Sequence, residues 1–159
     1  MTRRHRAFFG LALGLGCTFG AISQVPAPAP CPAAHELRAS DLYGLWRLSL
    51  WPEGGGEQAP SSTGALLFGP HPEYSGSVKG RLRRSGPGTD REAEVAGDIT
   101  DDGEFALDES ADGKTMDAVW IGQPDDCGRR IQGVRRPAES RQDAEPALRF
   151  RLQRAPTGH

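Results

Sequence analysis

Apolar and polar side chains alternate in most of eight short segments, and this alternation constrains the fold more than any other feature. In the first segment, Trp46 and Leu48 share one face of an extended chain, while Arg47 lies on the other. The same period of two recurs along the chain at 42–51, 75–84, 92–100, 105–107, 127–136 and 148–152, and two further candidate strands are the short apolar run 65–68 and the segment 116–121. No amphipathic helix of any length interrupts these segments, so the pattern predicts eight β-strands.

Glycine and proline separate the predicted strands. The chain has 21 glycines and 13 prolines among 159 residues, and Asp102-Gly103 and Asp112-Gly113 are typical of hairpin turns. Short connections in sequence order favour an all-β, eight-stranded antiparallel up-and-down β-barrel, because closure removes exposed strand edges. The alternative is a two-sheet β-sandwich. Three glycines on inward faces suit the sharp coiling of a small barrel: Gly80, Gly97 and Gly133.

The N-terminal residues predict export. Arg3, Arg4 and Arg6 precede an apolar stretch that is too short for a bilayer, which needs about 20 apolar residues. We therefore expect a signal peptide over 1–23, with a periplasmic or secreted product. The alternative is lipoprotein processing at Cys17, which would anchor the protein at the outer membrane.

Four regions follow from this division of the chain. After the signal peptide 1–23, a Pro/Ala-rich segment spans 24–41, a barrel domain spans 42–154 and a loose tail spans 155–159. The strong preference for Arg over Lys and the absence of Asn favour a bacterial source with a GC-rich genome.

Two cysteines remain after removal of the signal peptide. Cys31 and Cys127 in an exported chain predict one disulfide, which would close a long loop. Neither cysteine has His or Cys at metal-ligand spacing, so we expect no metal site and no cofactor.

The charge balance excludes some partners. Removing residues 1–23 takes away three of the 19 basic residues and no acidic residue, which leaves 16 basic and 21 acidic residues and a net charge of −5. We therefore expect neither nucleic acid nor an anionic membrane surface as a partner, and no membrane span.

The first strand contains Gly44-x-Trp46, and later strands contain Val95-x-Gly97-x-Ile99 and Ile131-x-Gly133. In an eight-stranded meander these motifs resemble the calycins, the superfamily of avidins, lipocalins and bacterial metalloprotease inhibitors. The resemblance implies that Trp46 closes one barrel end and packs on an arginine of the last strand, for which Arg149, Arg151 and Arg154 are the candidates.

The same resemblance implies a non-catalytic binding protein with a small molecule at the open end of the barrel. Tyr43, Trp46 and Trp120 are the candidate ligand-binding residues. The alternative is a protein-interaction module, such as a secreted-protease inhibitor that acts through 35–40, with Glu36, Leu37 and Arg38 contacting the partner.

Two further patterns have competing interpretations. The spacing from Asp98 to Glu109 fits a calcium loop, but the flanking segments have strand periodicity, so a hairpin turn is favoured. Arginines on two strands form either a basic stripe for a carboxylate or sulfated glycan, or cross-strand ion pairs with acids such as Glu92. The arginines are Arg81, Arg83, Arg84, Arg129, Arg130, Arg135 and Arg136. No nucleophile or general-base motif is present, so we expect no enzyme.

Overall fold

A computed structural model describes residues 30–86, 88, 90–141 and 145–156. The predicted signal peptide 1–23 with Cys17, most of the Pro/Ala-rich segment and the last three residues of the predicted tail lie outside the described residues. No helix in the described part of the chain is long and apolar enough to cross a membrane.

Eight antiparallel strands form a closed barrel in sequence order, which confirms the predicted fold class. The strands are β1 Gly44–Pro52, β2 Ser62–Pro70, β3 Val78–Arg84, β4 Arg91–Ile99, β5 Phe105–Ser110, β6 Ala118–Asp125, β7 Arg130–Pro137 and β8 Leu148–Arg154. Each strand pairs with the next, and β1 pairs with β8. Because the first and last strands are hydrogen-bonded to each other, the β-sandwich alternative is wrong.

Most strand boundaries differ from the predictions by a few residues, and those of β1 and β2 have clear physical reasons. β2 extends from Ser62 to Pro70, well beyond the predicted 65–68, because its flanking residues are small and carry little periodicity while β1 and β3 bond it on both sides. Leu42 was expected in the first strand, but it ends the short helix α1, Ala39–Leu42. The Asp41 carboxylate accepts a hydrogen bond from Arg38 N at 2.8 Å and stabilises this turn.

The side chains that fill the barrel interior are those that the alternation predicts to face inward. Trp46, Val95 and Phe105 are buried, as their places in the alternation predict. Aromatic rings fill the centre, with Phe105 6.3 Å from Phe150 and Trp120 5.0 Å from Phe150 between ring centroids. A Cβ at Gly133 would lie 1.9 Å from Ile121 O, so only glycine allows β6 and β7 to approach so closely here.

The antiparallel order places the connections at two opposite ends. At one end, the cap end, lie the connections 71–77, 100–104 and 126–129 together with the start of β1. At the other end, the mouth, lie the described residues of the connections 53–61, 85–90, 111–117 and 138–147. The Asp98–Glu109 stretch forms the β4–β5 hairpin at the cap end, as favoured over a calcium loop.

The chain before β1 covers the cap end. It contains a 3-10 helix, Ala34–Glu36, and α1. Backbone atoms of 34–35 lie against Gly103, and the Leu37 side chain lies against Gly128. The Cys31–Cys127 disulfide joins this segment to the β6–β7 connection, as predicted. The segment therefore forms a lid that is covalently fixed to the barrel.

Candidate functional site

Five charged residues converge at the mouth and form what we call the mouth cluster: Arg84, Arg91, Glu109, Arg135 and Glu145. They come from β3, β4, β5, β7 and the β7–β8 connection. Strand parity turns three of these side chains inward, because Arg84 follows Leu82, Glu109 follows Leu107 and Arg135 follows Gly133 at intervals of two. Barrel closure then brings the three side chains together.

Arg135 and Glu109 form the centre of the mouth cluster. Arg135 Nε and Nη2 donate to the two Glu109 oxygens at 2.7 and 3.1 Å, and Arg135 Nη1 donates to Glu145 Oε2 at 3.1 Å. Trp120 Nε1 donates to Glu109 Oε2 at 2.9 Å. Burial by itself lowers the pKa of Arg135, but the hydrogen bond and charge of Glu109 outweigh it, and the net pKa is raised.

Arg84 is the least compensated charge in the mouth cluster. Its side chain is only 5% exposed, and its Nη2 lies 4.0 Å from Glu109 Oε1. Among the residues that the structure describes, Arg84 Nε has no hydrogen-bond partner. Burial lowers the pKa of Arg84, and the nearby positive charge of Arg135 lowers it further. Glu109 is already engaged by Arg135, so it only partly balances Arg84.

The charges of the mouth cluster do not cancel. Three guanidinium groups face two carboxylates, which leaves one positive charge. A buried unpaired charge is costly, and an anion bound beside it recovers part of that cost. Guanidinium presents a planar fork of donors that matches a carboxylate. The guanidinium groups of the mouth cluster are therefore candidate donors to an anion of this shape, and Asp90, Glu92 and Asp117 line the pocket beside them.

A pocket of about 350 Å³ opens at the mouth cluster. Glu109 and Arg135 line its inner side, and Ala93 and Ala111 contribute small apolar surfaces. Asp117 lies at the rim, where its Oδ2 accepts from Ala111 N at 2.6 Å and its Oδ1 lies 2.7 Å from Arg141 Nη2. The pocket has the size of a site for a small organic molecule.

The predicted ligand-binding aromatic residues occupy two different ends of the barrel. Trp120 lies beside the mouth cluster, with Arg135 Cζ 6.0 Å from its ring centroid. Trp46 is fully buried near the cap end, where its Nε1 donates to Leu42 O at 2.7 Å. Tyr43 packs against the core beside Trp46. The structure therefore does not bring the three together into one site.

Trp46 is covered by an arginine of the last strand. Arg154 Cζ lies 4.8 Å from the Trp46 ring centroid, and Arg154 Nη1 donates to Tyr43 O at 2.8 Å. Arg154 Nη2 also donates to Asp41 O. Of the three arginines that the sequence offered for this position, the structure selects Arg154.

The segment proposed for protease inhibition is part of the lid. The Leu37 and Ala39 side chains are buried, whereas Glu36 and Arg38 are exposed. The Glu36 carboxylate accepts from Ala33 N at 2.7 Å and is used within the segment. Partner binding through 35–40 stays a prediction, and this packing gives it no support.

The arginines of the predicted stripe divide between the two faces of the barrel wall. Arg83 points outward and forms an ion pair with Glu92 at 3.5 Å, as cross-strand pairing predicts. Arg84 and Arg135 point inward instead. The sequence did not connect Glu109 with these arginines, and neither Arg91 nor Glu145 stood out in it. The sequence signal for this site is a charged residue at an inward-facing position in each of the strands β3, β5 and β7.

Comparisons with known proteins add little to this geometry. No protein-family model and no curated protein matches the chain. Among solved structures, a redesigned β-barrel, mFAP0, bound to DFHBI, has a TM-score of 0.47 and 18% identity, and the match covers 72% of this chain and 99% of that one. The strand order and register define the chain as a closed eight-stranded antiparallel up-and-down β-barrel protein.

Proposed function

We propose that this protein is an exported, non-catalytic binding protein that holds a small carboxylate-bearing molecule in the mouth pocket. The observation that carries the proposal is Arg84, a cation whose side chain is 5% exposed and whose nearest carboxylate oxygen lies 4.0 Å away. Structural arginines at such depth normally have close partners, as Arg135 has. Arg84 does not itself line the pocket, so an incoming carboxylate would contact Arg91 and Arg135, which do, and would offset the charge of Arg84 from there.

The ligand is small and binds at the mouth, above the packed interior. The pocket holds about 350 Å³, and the rings of Trp120, Phe150 and Phe105 fill the barrel beneath it. Trp120 contributes by holding Glu109 in place. Trp46 and Tyr43 act at the cap end as structural residues in this proposal.

Binding rather than catalysis fits the state of the buried carboxylate. Both Glu109 oxygens accept hydrogen bonds from Arg135, and one also accepts from Trp120. A carboxylate so engaged has little freedom to transfer protons to a ligand. Glu109 therefore serves to position Arg135.

Two features support the calycin-like character and the export that the proposal includes. The Arg154 guanidinium over Trp46 is what the calycin resemblance implies for the closed end of the barrel. The Cys31–Cys127 disulfide supports export, because disulfides persist in oxidising compartments.

Benzoate and benzamide provide a matched pair of probes for this proposal. They have the same shape and differ in charge, so we expect saturable binding of benzoate by calorimetry and none of benzamide at equal concentration. The Trp120 indole N–H signal in NMR should shift with benzoate, because Trp120 donates to Glu109 in the site. Equal binding of the two probes, or no binding of benzoate, hexanoate or succinate at millimolar concentration, would refute the proposal.

A further inference from the structure

The mouth cluster already contains one carboxylate that lies where a ligand would enter. Glu145 Oε2 accepts from Arg135 Nη1 at 3.1 Å, and Glu145 Oε1 pairs with Arg91 Nη1. Glu145 also lines the pocket. Two arginines at the mouth are thus bridged by a carboxylate of the protein itself.

Glu145 and Glu109 differ in how firmly they are held. Glu109 belongs to strand β5, its side chain is 7% exposed, and three hydrogen bonds fix it. Glu145 belongs to the β7–β8 connection, its side chain is 20% exposed, and its contacts in the cluster are to arginines alone. Glu145 can therefore leave the arginines by side-chain rotation, whereas Glu109 cannot leave without breaking the buried centre.

The electrostatics keep Glu145 charged in this position. Burial by itself raises the pKa of Glu145, but the hydrogen bond from Arg91 and the charge of Arg135 outweigh it, and the net pKa is lowered. At neutral pH Glu145 is consequently a carboxylate, the same chemical group that the proposed ligand carries.

We propose that Glu145 is a built-in competitor, whose carboxylate must be displaced from Arg91 and Arg135 when a carboxylate ligand binds. This inference rests on the proposed function. The displaced Glu145 carboxylate stays on the β7–β8 connection, so the bound carboxylate adds one negative charge to the mouth, which offsets the excess positive charge of the mouth cluster. Because Glu145 is part of the chain, its carboxylate has a high effective concentration at the arginines. It therefore lowers the apparent affinity of the protein for a carboxylate ligand in solution.

Glu145→Gln tests the competition, because the amide keeps the shape of the side chain and loses its charge. If Glu145 occupies the arginines about nine-tenths of the time, its loss raises the apparent affinity for benzoate on the order of tenfold. Glu139→Gln is the matched control, since Glu139 lies on the same connection and is exposed. Glu145→Asp keeps the charge on a shorter side chain and should fall between the wild type and Glu145→Gln.

The experiment is a benzoate titration of the wild type and the three variants by calorimetry, with the Trp120 indole signal as a check of folding. Tighter binding by Glu145→Gln, with Glu139→Gln unchanged, is the expected result. Unchanged or weaker binding by Glu145→Gln overturns the inference and leaves the proposed function intact. If Glu145→Gln does not fold, Glu145→Asp decides, and affinity equal to or below that of the wild type overturns the inference. Absence of benzoate binding in all variants overturns both proposals.

Discussion

Arg135 and Glu109 form a two-point ion pair inside the barrel mouth, with hydrogen bonds of 2.7 and 3.1 Å between β7 and β5. Both side chains are almost inaccessible to water, at 2% and 7% exposure. A pair at this depth stabilises the fold only while it is intact, because either partner alone is a buried charge. Removal of either partner alone should therefore destabilise the protein.

Arg135→Leu should destabilise the protein by about 3 to 5 kcal/mol, because Glu109 loses its closest cation. The double variant Arg135→Leu/Glu109→Leu should recover part of this loss, since it removes the unpaired carboxylate but also takes away the acceptor of Trp120 Nε1 and the carboxylate nearest to Arg84. Urea unfolding measures both. Arg136→Leu is the control, because Arg136 is the exposed neighbour on the same strand. A double variant less stable than the single one would contradict the assignment.

Arg154→Met should loosen the cap end. It removes the cover of Trp46 and the hydrogen bonds to Tyr43 O and Asp41 O. We expect a loss of about 1 to 3 kcal/mol in the free energy of unfolding. The comparison is Arg149→Met, which alters an exposed arginine on the same strand. Equal stability of the two variants would show that Arg154 is not the structural partner of Trp46.

Reduction of the disulfide should weaken the whole barrel. The bridge joins residues 96 positions apart, and a loop of this size contributes about 4 kcal/mol in the chain-entropy model. Urea unfolding with and without a reductant measures the effect, and intact mass after alkylation reports whether Cys31 and Cys127 are bridged. Identical unfolding midpoints in a protein shown to be bridged would contradict this account.

The close approach of β6 and β7 at Gly133 provides a test of how tightly the barrel sheet is coiled. Gly133→Ala places a methyl group 1.9 Å from Ile121 O, where only backbone movement relieves the clash, so we expect a loss of about 1 to 3 kcal/mol or more. At Gly69 an added Cβ meets nothing within 4 Å, so Gly69→Ala should be neutral or slightly stabilising. Thermal unfolding of the pair provides the measurement, and similar transition temperatures would argue against tight coiling at Gly133.

The fold was predictable from sequence because each strand carries its own signal. The alternation within each strand is enough to identify Trp46, Val95 and Phe105 as inward-facing residues. The short connections then allow few topologies for strands in this order. Leu42 was misplaced because a buried leucine fits the end of α1 as well as the start of a strand.

The site was only partly predictable. Arg84 and Arg135 belonged to the predicted arginine stripe, but their inward orientation depends on counting from buried residues in each strand. The contact between Arg91 and Glu145 spans 54 positions and exists only because the barrel closes. No local pattern reports such a contact, and Glu145 lies on a connection where periodicity gives no direction.

Arg84→Met tests the central claim most directly, because we expect it to change ligand affinity and protein stability in opposite directions. Arg84 is poorly compensated in the unliganded protein, so its removal should raise the free energy of unfolding by about 1 to 2 kcal/mol. The same variant should lose benzoate binding by at least about tenfold, since the positive charge that the bound carboxylate offsets is gone. Arg81→Met, on the exposed side of the same strand and outside the lining of the mouth pocket, should change neither quantity. Benzoate titration and urea unfolding of these two variants together decide the matter. A destabilised Arg84→Met protein that still binds benzoate with wild-type affinity would contradict the account.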